Sequence, residues 1–285
     1  MSLKSQSAVR LRWQSQLPLF LAVALGTAGI ATQCIASVWI SPMRIVSAFV
    51  LGALLAVLTW NFRAATRAAA LAGGLFTAAL YLATPGWQTT LWPLLALLLL
   101  TLAGTRFGRA RKEKLGIAEG RHGRTASQVA ANLGVAVIAS IPLGLSHFFL
   151  FPRALGANAM RVALAAALAE AAADTLSSEL GEVLGGEPRL LTTLRPVPAG
   201  TDGAISLAGT LAGCGGAIIV TAAASLALRL TLAETAIVAS AAIVGLFVDS
   251  LLGAVLERRG RLNNDAVNFL STLAAAILAA ALASQ

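Results

Sequence analysis

Four polar residues recur at four-residue intervals in an otherwise alanine-rich stretch: Glu170, Asp174, Ser178 and Glu182. At 3.6 residues per turn this spacing lines one face of a helix. A carboxylate inside an apolar helix is costly, and normally faces a bundle interior or a wet cavity. Asp174 therefore reads as part of a metal or proton site. Glu179 and Glu182, toward the end of the stretch, read locally as surface carboxylates on a helix end that meets water. A second carboxylate, in Gly245-Leu-Phe-Val-Asp249-Ser250-Leu-Leu-Gly253-Ala254, lies two turns from the end of another apolar stretch, with Gly253 one turn further on allowing a close neighbour or ligand.

Three more clusters accompany the pair. Gly200-Thr201-Asp202-Gly203 leads into a helix, after Arg189 and Arg195. A glycine-bearing turn before a helix N-terminus presents backbone N–H groups to an anion. The alternative is a plain turn in which Asp202 caps the helix. Arg124-Thr125-Ala-Ser-Gln128-Val-Ala-Ala-Asn132 sets Gln128 and Asn132 on one face of a span, next to Arg124 and Thr125. Asn264, Asn268 and Ser271 share a face at the start of the final apolar stretch, where Asn264 or Asp265 also fits a cap. Carboxylates opposite cationic and amide groups suit Mg²⁺ bridged to phosphate, because Mg²⁺ takes one or two carboxylates plus substrate oxygens. Two histidines and two separated cysteines, Cys34 and Cys214, argue against zinc. No Ser–His pair points to acyl transfer, and no GxxxxGK[ST] loop is present.

The elements that must hold these groups are membrane helices. The chain is 58% hydrophobic and 12% charged, against about a quarter charged in soluble domains. Its apolar stretches run continuously for about twenty residues, the length of a spanning helix, and lack the alternation of a barrel strand. The spacing predicts about nine spans, at roughly 17–36, 43–60, 68–84, 91–104, 128–151, 160–176, 204–228, 234–256 and 266–284. The first follows Lys4, Arg10 and Arg12, and its length favours a transmembrane helix over a signal peptide. With the N-terminus inside, 17 basic residues fall in inside segments and 4 outside, as the positive-inside rule requires. The net charge of +9 is thus membrane topology, and no nucleic-acid partner is expected. The expected architecture is an all-α integral membrane protein, one polytopic domain over residues 1–285. Residues 1–104 are mainly scaffold and residues 105–285 carry the polar site at the inside face. Gly209 and Gly213 form a GxxxG, read as a helix-packing face.

Arg124-Thr-Ala-Ser-Gln128-Val-Ala-Ala-Asn132, Ala173-Asp174-Thr-Leu-Ser-Ser178-Glu179-Leu-Gly181, Gly200-Thr-Asp-Gly-Ala-Ile-Ser206, Asp249-Ser-Leu-Leu-Gly253-Ala254 and Val267-Asn268-Phe occur in this order. Together they resemble the family called domain of unknown function 92, which includes plant and cyanobacterial phytyl-phosphate kinase and the animal transmembrane protein nineteen. The resemblance covers roughly residues 105–285. The chain departs from the family pattern at Asp202 and Ala204, where Asn and Gly are usual, at Arg195, often Lys, and at Glu257, commonly Gln.

The resemblance implies phosphoryl transfer from a nucleoside triphosphate, CTP foremost, to an isoprenoid monophosphate such as phytyl or geranylgeranyl phosphate. It assigns Mg²⁺ to Asp174, Glu179 and Asp249, and phosphates to Arg124 and Arg195. Backbone donors come from Gly200 to Gly203, and Asn132 and Asn268 orient oxygens. Thr125, Gln128, Ser178, Ser206, Ser250, Gly253 and Asn264 complete the substrate and nucleotide contacts. A bacterial inner membrane with a cytoplasmic active site is the expected location. An ion- or proton-coupled transporter, and another nucleotide-dependent lipid-phosphate transferase, are the competing functions; the absence of an inverted repeat weighs against the first.

Overall fold

A computed structural model describes residues 11–37, 41–84, 89–115, 123–146 and 156–285. Among them are nine long helices: α1 (Arg12–Ser37), α2 (Pro42–Asn61), α3 (Arg67–Leu82), α4 (Leu91–Arg106), α6 (Ala126–Ser146), α7 (Ala157–Leu184), α8 (Leu207–Leu228), α9 (Leu232–Leu252) and α10 (Asn264–Ala283). A short helix, α5 (Arg109–Leu115), follows α4, and a π turn over Gly253–Glu257 extends α9. Each long helix coincides with one of the predicted stretches. Six of the helices are long and apolar enough to cross a membrane. Helices α3 and α4 have 16 residues each, about 24 Å at 1.5 Å per residue. Lys4, Arg10, Arg121, His122, His147 and Arg153 lie outside the described residues.

Helix α7 is the axis of the bundle. Helices α4, α5, α6, α8, α9 and α10 all pack on it, and its residues from Val162 to Ala173 are all buried. Alanine lets neighbours approach closely, and small residues on facing helices extend the effect. A Cβ added at Gly209 or Gly213 of α8 would meet the carbonyl oxygen of Ser177 or Ala173 at 2.7 or 2.8 Å. The GxxxG is thus the packing face read from sequence. Some large apolar side chains point outward instead: Leu226 is 82% exposed and Leu232 88%.

The helix ends carry their own capping groups. Thr66 accepts a hydrogen bond from the Ala69 N–H, and Thr231 with Glu234 forms a reciprocal capping box. At that same end of the bundle Arg161 of α7 pairs with Glu234 of α9 at 3.0 Å. Two predictions are corrected here. Helix α7 continues to Leu184, beyond the predicted end near residue 176, because the carboxylates that look like an aqueous end are accommodated within the fold. The chain is also not wholly helical: β1 (Arg189–Leu190) pairs antiparallel with β2 (Ala204–Ile205), so α8 begins at Leu207 and not at 204.

Candidate functional site

The connectivity brings the start of α6, the end of α7, the end of α9 and the start of α10 to one end of the bundle, under the loop carried by the β1–β2 ribbon. They enclose a cavity of about 310 Å³. Asp174 of α7 and Asp249 of α9 both line it, close enough for their carboxyl groups to act on each other electrostatically. Each is also held from its own side. Ser178 donates to Asp174 at 3.4 Å, and Ser271 of α10 donates to Asp249 at 3.3 Å.

Opposite the pair, Asn268 Nδ2 of α10 donates to Asn132 Oδ1 of α6 at 3.2 Å. Arg124 reaches Thr175 of α7 at 3.4 Å. Its backbone is fixed by two hydrogen bonds to the α2–α3 turn, from its N–H to the Ala64 carbonyl and to its carbonyl from the Thr66 N–H, both 3.0 Å. The preceding Gly123 has φ +75°, and a Cβ there would meet the Ala64 carbonyl carbon at 2.3 Å. Only glycine fits this junction without strain.

The loop Gly200–Gly203 closes the cavity from the ribbon side. Gly203 adopts φ +72°, and a Cβ on it would meet the Ala254 nitrogen at 2.1 Å. A Cβ on Gly253 would in turn meet the Gly203 nitrogen at 2.8 Å. The two glycines therefore seat the loop directly on the π turn, a distortion that often accompanies functional sites. Glu257, at the end of that turn, joins the lining, as do Asp202, Ser250 and Asn264.

Of the candidate residues read from sequence, Arg124, Gln128, Asn132, Asp174, Ser178, Glu179, Gly200, Thr201, Asp202, Gly203, Ser206, Asp249, Ser250, Gly253, Asn264 and Asn268 all line this one cavity. Several do so in roles other than the expected one. Ser206, not Asp202, caps α8, accepting from the Gly209 N–H at 3.1 Å. Asn263, not Asn264 or Asp265, caps α10, accepting from the Ala266 N–H at 2.9 Å.

Two candidates stand outside the lining. Thr125 is the cap of α6: its hydroxyl accepts from the Gln128 N–H at 3.3 Å and its N–H donates to Gln128 Oε1 at 2.7 Å. Arg195 is exposed on the ribbon loop; its carbonyl accepts from the Leu190 N–H at 3.0 Å. Glu179 lines the cavity, but its carboxylate is already engaged by other groups. It accepts from Thr105 at 3.0 Å and forms an ion pair with Lys112 of α5.

Lys112 is the group that sequence reasoning missed. It is 2% exposed and also donates to the Gly104 carbonyl at 3.1 Å. In sequence it is one of a run of loop cations, and nothing in its spacing marks it as buried. Glu182, read as a surface carboxylate, and Glu257, noted as a departure from the family pattern, also line the cavity. Glu170 sits one turn deeper than Asp174, fully buried, with neither carboxyl oxygen hydrogen-bonded.

Six acidic residues and one basic residue, Arg124, line the cavity. Among the described residues no three carboxylate, histidine or cysteine groups converge as a self-sufficient metal cage. A carboxylate pair that leaves coordination positions open fits Mg²⁺ carried with phosphate oxygens and water, and does not fit a closed structural metal site.

The family model described as "Integral membrane protein DUF92" matches residues 50–276. An uncharacterised membrane protein of Methanocaldococcus jannaschii is 40% identical over 126 residues, 43% of this chain and 51% of that one. Protein VTE6, chloroplastic, of Arabidopsis thaliana is 31% identical over 184 residues, 62% of this chain and 53% of that one. An uncharacterised membrane protein of Synechocystis is 30% identical over 199 residues, 68% and 73% of the two chains. The chain spans about half the length of the first two of these relatives. No solved structure matches. The matched region runs from α2 into α10 and contains every residue of the cavity lining, and the chain belongs to the DUF92 family of integral membrane proteins.

Proposed function

We propose that the protein transfers a phosphoryl group from a nucleoside triphosphate, with CTP the favoured donor, to an isoprenoid monophosphate, giving the diphosphate. The observation that carries this reading is the charge of the cavity. Glu179 is already paired with Lys112, but the acidic residues of the lining still outnumber its one guanidinium, so a phosphate would enter with divalent cations, and Asp174 with Asp249 is a pair suited to hold them. The cavity's volume of about 310 Å³ lies at the lower end of the range of small-molecule sites, about 300–1,000 Å³. The sequence resemblance to the family of phytyl-phosphate kinase supplies the reaction class.

The chain's own residues have simple tasks in this reaction. The acceptor phosphate is already ionised, so no general base is needed, and catalysis is positioning with charge neutralisation. Mg²⁺, held by Asp174 and Asp249, would neutralise charge on the phosphate oxygens. Arg124 would hold one phosphate from the α6 side. The Gly200–Gly203 loop would approach another with its backbone, which side chains at Gly200 and Gly203 would obstruct. Asn132 and Asn268, already joined to each other, would orient oxygens. Ser178 and Ser271 keep the two aspartates in place.

The same reading places the N-terminus and the cavity on the cytoplasmic side of a bacterial inner membrane, with the nine long helices as nine crossings. Arg195, exposed on the ribbon, would meet the nucleotide from outside the cavity.

One observation favours a rival. Buried Glu170 extends the line of acids into the apolar interior, as in an ion- or proton-coupled transporter. The deciding assay uses purified protein in detergent with Mg²⁺, phytyl, farnesyl or geranylgeranyl monophosphate, and CTP, ATP, GTP or UTP in turn. Diphosphate product with wild type and none with Asp174→Asn or Asp249→Asn is expected. Folded wild type that yields no product with any pair, but moves ions in liposomes, would replace the kinase by the transporter.

A further inference from the structure

A second cavity, of about 120 Å³, lies on the other side of Arg124 and Asn132, between α2, α3, α4 and α6. Those two residues line both cavities. The wall of the second is hydrocarbon: Leu55 of α2, Gly73 of α3, Leu97 and Leu98 of α4, and Val129 and Leu133 of α6. Two of its threonine hydroxyls are turned away from any ligand. Thr59 donates to the Leu55 carbonyl and Thr77 to the Gly73 carbonyl, each at 2.8 Å.

The geometry points to this pocket as the binding site for the apolar tail of the substrate. The inference rests on the isoprenoid-phosphate reading and deepens it. A molecule with its phosphate in the acidic cavity and its chain running past Arg124 and Asn132 satisfies both chambers at once. A nucleotide, polar along its length, suits only the first.

The size of the pocket limits what it reads. An engineered apolar cavity of about 150 Å³ binds benzene, so 120 Å³ holds roughly one five-carbon isoprene unit. The pocket therefore grips the unit next to the phosphate. The remaining chain lies in lipid along outward-facing leucines of α2 such as Leu54 and Leu58, 51% and 38% exposed. Acceptors of ten to twenty carbons should be used with similar KM, and changes in the first unit should be the ones discriminated. The N-terminal helices α2 to α4, expected from sequence to be scaffold, become a specificity element.

Gly73 provides the test. It lines the pocket, and a Cβ built on it meets nothing within 4 Å, so Gly73→Leu fills the pocket without a clash at Cβ. Tritiated geranylgeranyl monophosphate is titrated, with Mg²⁺ and without nucleotide, into protein in nanodiscs. Gly73→Leu should weaken binding at least tenfold. Leu71→Phe on the outer face, where Leu71 is 72% exposed, should leave it within twofold. CTP binding and Tm should be unchanged in both variants. A diazirine on the first isoprene unit should crosslink wild type to peptides of α2, α3 or α4. Undiminished binding by Gly73→Leu, or crosslinks confined to α8, α9 and α10, overturns the tail site and leaves the kinase reading standing. Absence of any isoprenoid phosphate binding by wild type overturns both.

Discussion

Lys112, on the short helix α5, forms a buried ion pair with Glu179 of α7, and Thr105 of α4 donates to the same carboxylate. The contact fastens the basic segment after α4 to the central helix, directly beside the acidic cavity. Gly104 makes the approach possible, since a Cβ there would stand 3.0 Å from Leu176 Cδ2.

Removing one partner of a buried ion pair leaves the other charge uncompensated, which costs roughly 3–5 kcal/mol. Lys112→Met should therefore lower stability by about that amount in a denaturant titration in detergent. Lys112→Met combined with Glu179→Leu should recover most of the loss. Glu179→Gln should change stability more than the Mg²⁺ concentration required for turnover, because the carboxylate is already occupied by Lys112 and Thr105. A single variant as stable as wild type would show that the pair does not hold α5 in place.

Gly203 should tolerate no side chain. Its φ of +72° and the 2.1 Å approach a Cβ would make to the Ala254 nitrogen forbid both the conformation and the contact. Gly203→Ala must lift the loop off the π turn. A displacement of about 1 Å in a positioning element can cost roughly 10²-fold in rate. The variant should lose at least that in kcat/KM, while Tm falls little, because the ribbon lies outside the helical core. An alanine variant with wild-type kinetics would remove the Gly200–Gly203 loop from the site.

The carboxylate positions were legible because helical spacing is strict: a polar residue every fourth position in an apolar run must share a face, as Glu170, Asp174 and Ser178 do. Asn132 and Asn268 were legible for a related reason, since an amide inside a span needs a polar partner, and each is the other's. What escaped depended on contacts distant in sequence. Lys112 and Glu179 are 67 residues apart, and a lysine among loop arginines carries no local sign of burial. The caps offered as alternatives at Asp202, and at Asn264 or Asp265, fell on the wrong residues because several neighbouring residues had suitable side chains. Backbone geometry, not residue type, selected Ser206 and Asn263. Arg195 precedes the glycine loop in sequence, but sequence did not show that the ribbon leaves it exposed, outside the cavity lining.

The Asn132–Asn268 hydrogen bond separates stability from function. Interhelical hydrogen bonds in membrane proteins average about 0.6 kcal/mol and reach about 1.7. Asn268→Ala should cost stability within that range. Turnover should drop more than this accounts for, by tenfold or greater, if the amides also orient phosphate oxygens. Equal, small losses in both would leave the pair as helix packing alone.

The orientation of the site is testable without any assay of activity. The cavity end of the bundle carries Arg63, Arg106, Arg189, Arg195, Arg258, Arg259 and Arg261 in its turns and loops, whereas the turn between α8 and α9 carries one arginine, Arg229. Cytoplasmic loops collect basic residues, so the cavity should open to the cytoplasm. In a background with Cys34 and Cys214, the two cysteines of the chain, replaced by alanine, Thr192→Cys marks the exposed ribbon loop and Arg229→Cys the opposite turn. A membrane-impermeant maleimide should label Thr192→Cys only in inverted vesicles and Arg229→Cys only from the outside of intact spheroplasts. The reverse pattern would put the acidic cavity outside the cell, away from nucleoside triphosphates, and the kinase reading would lose its donor.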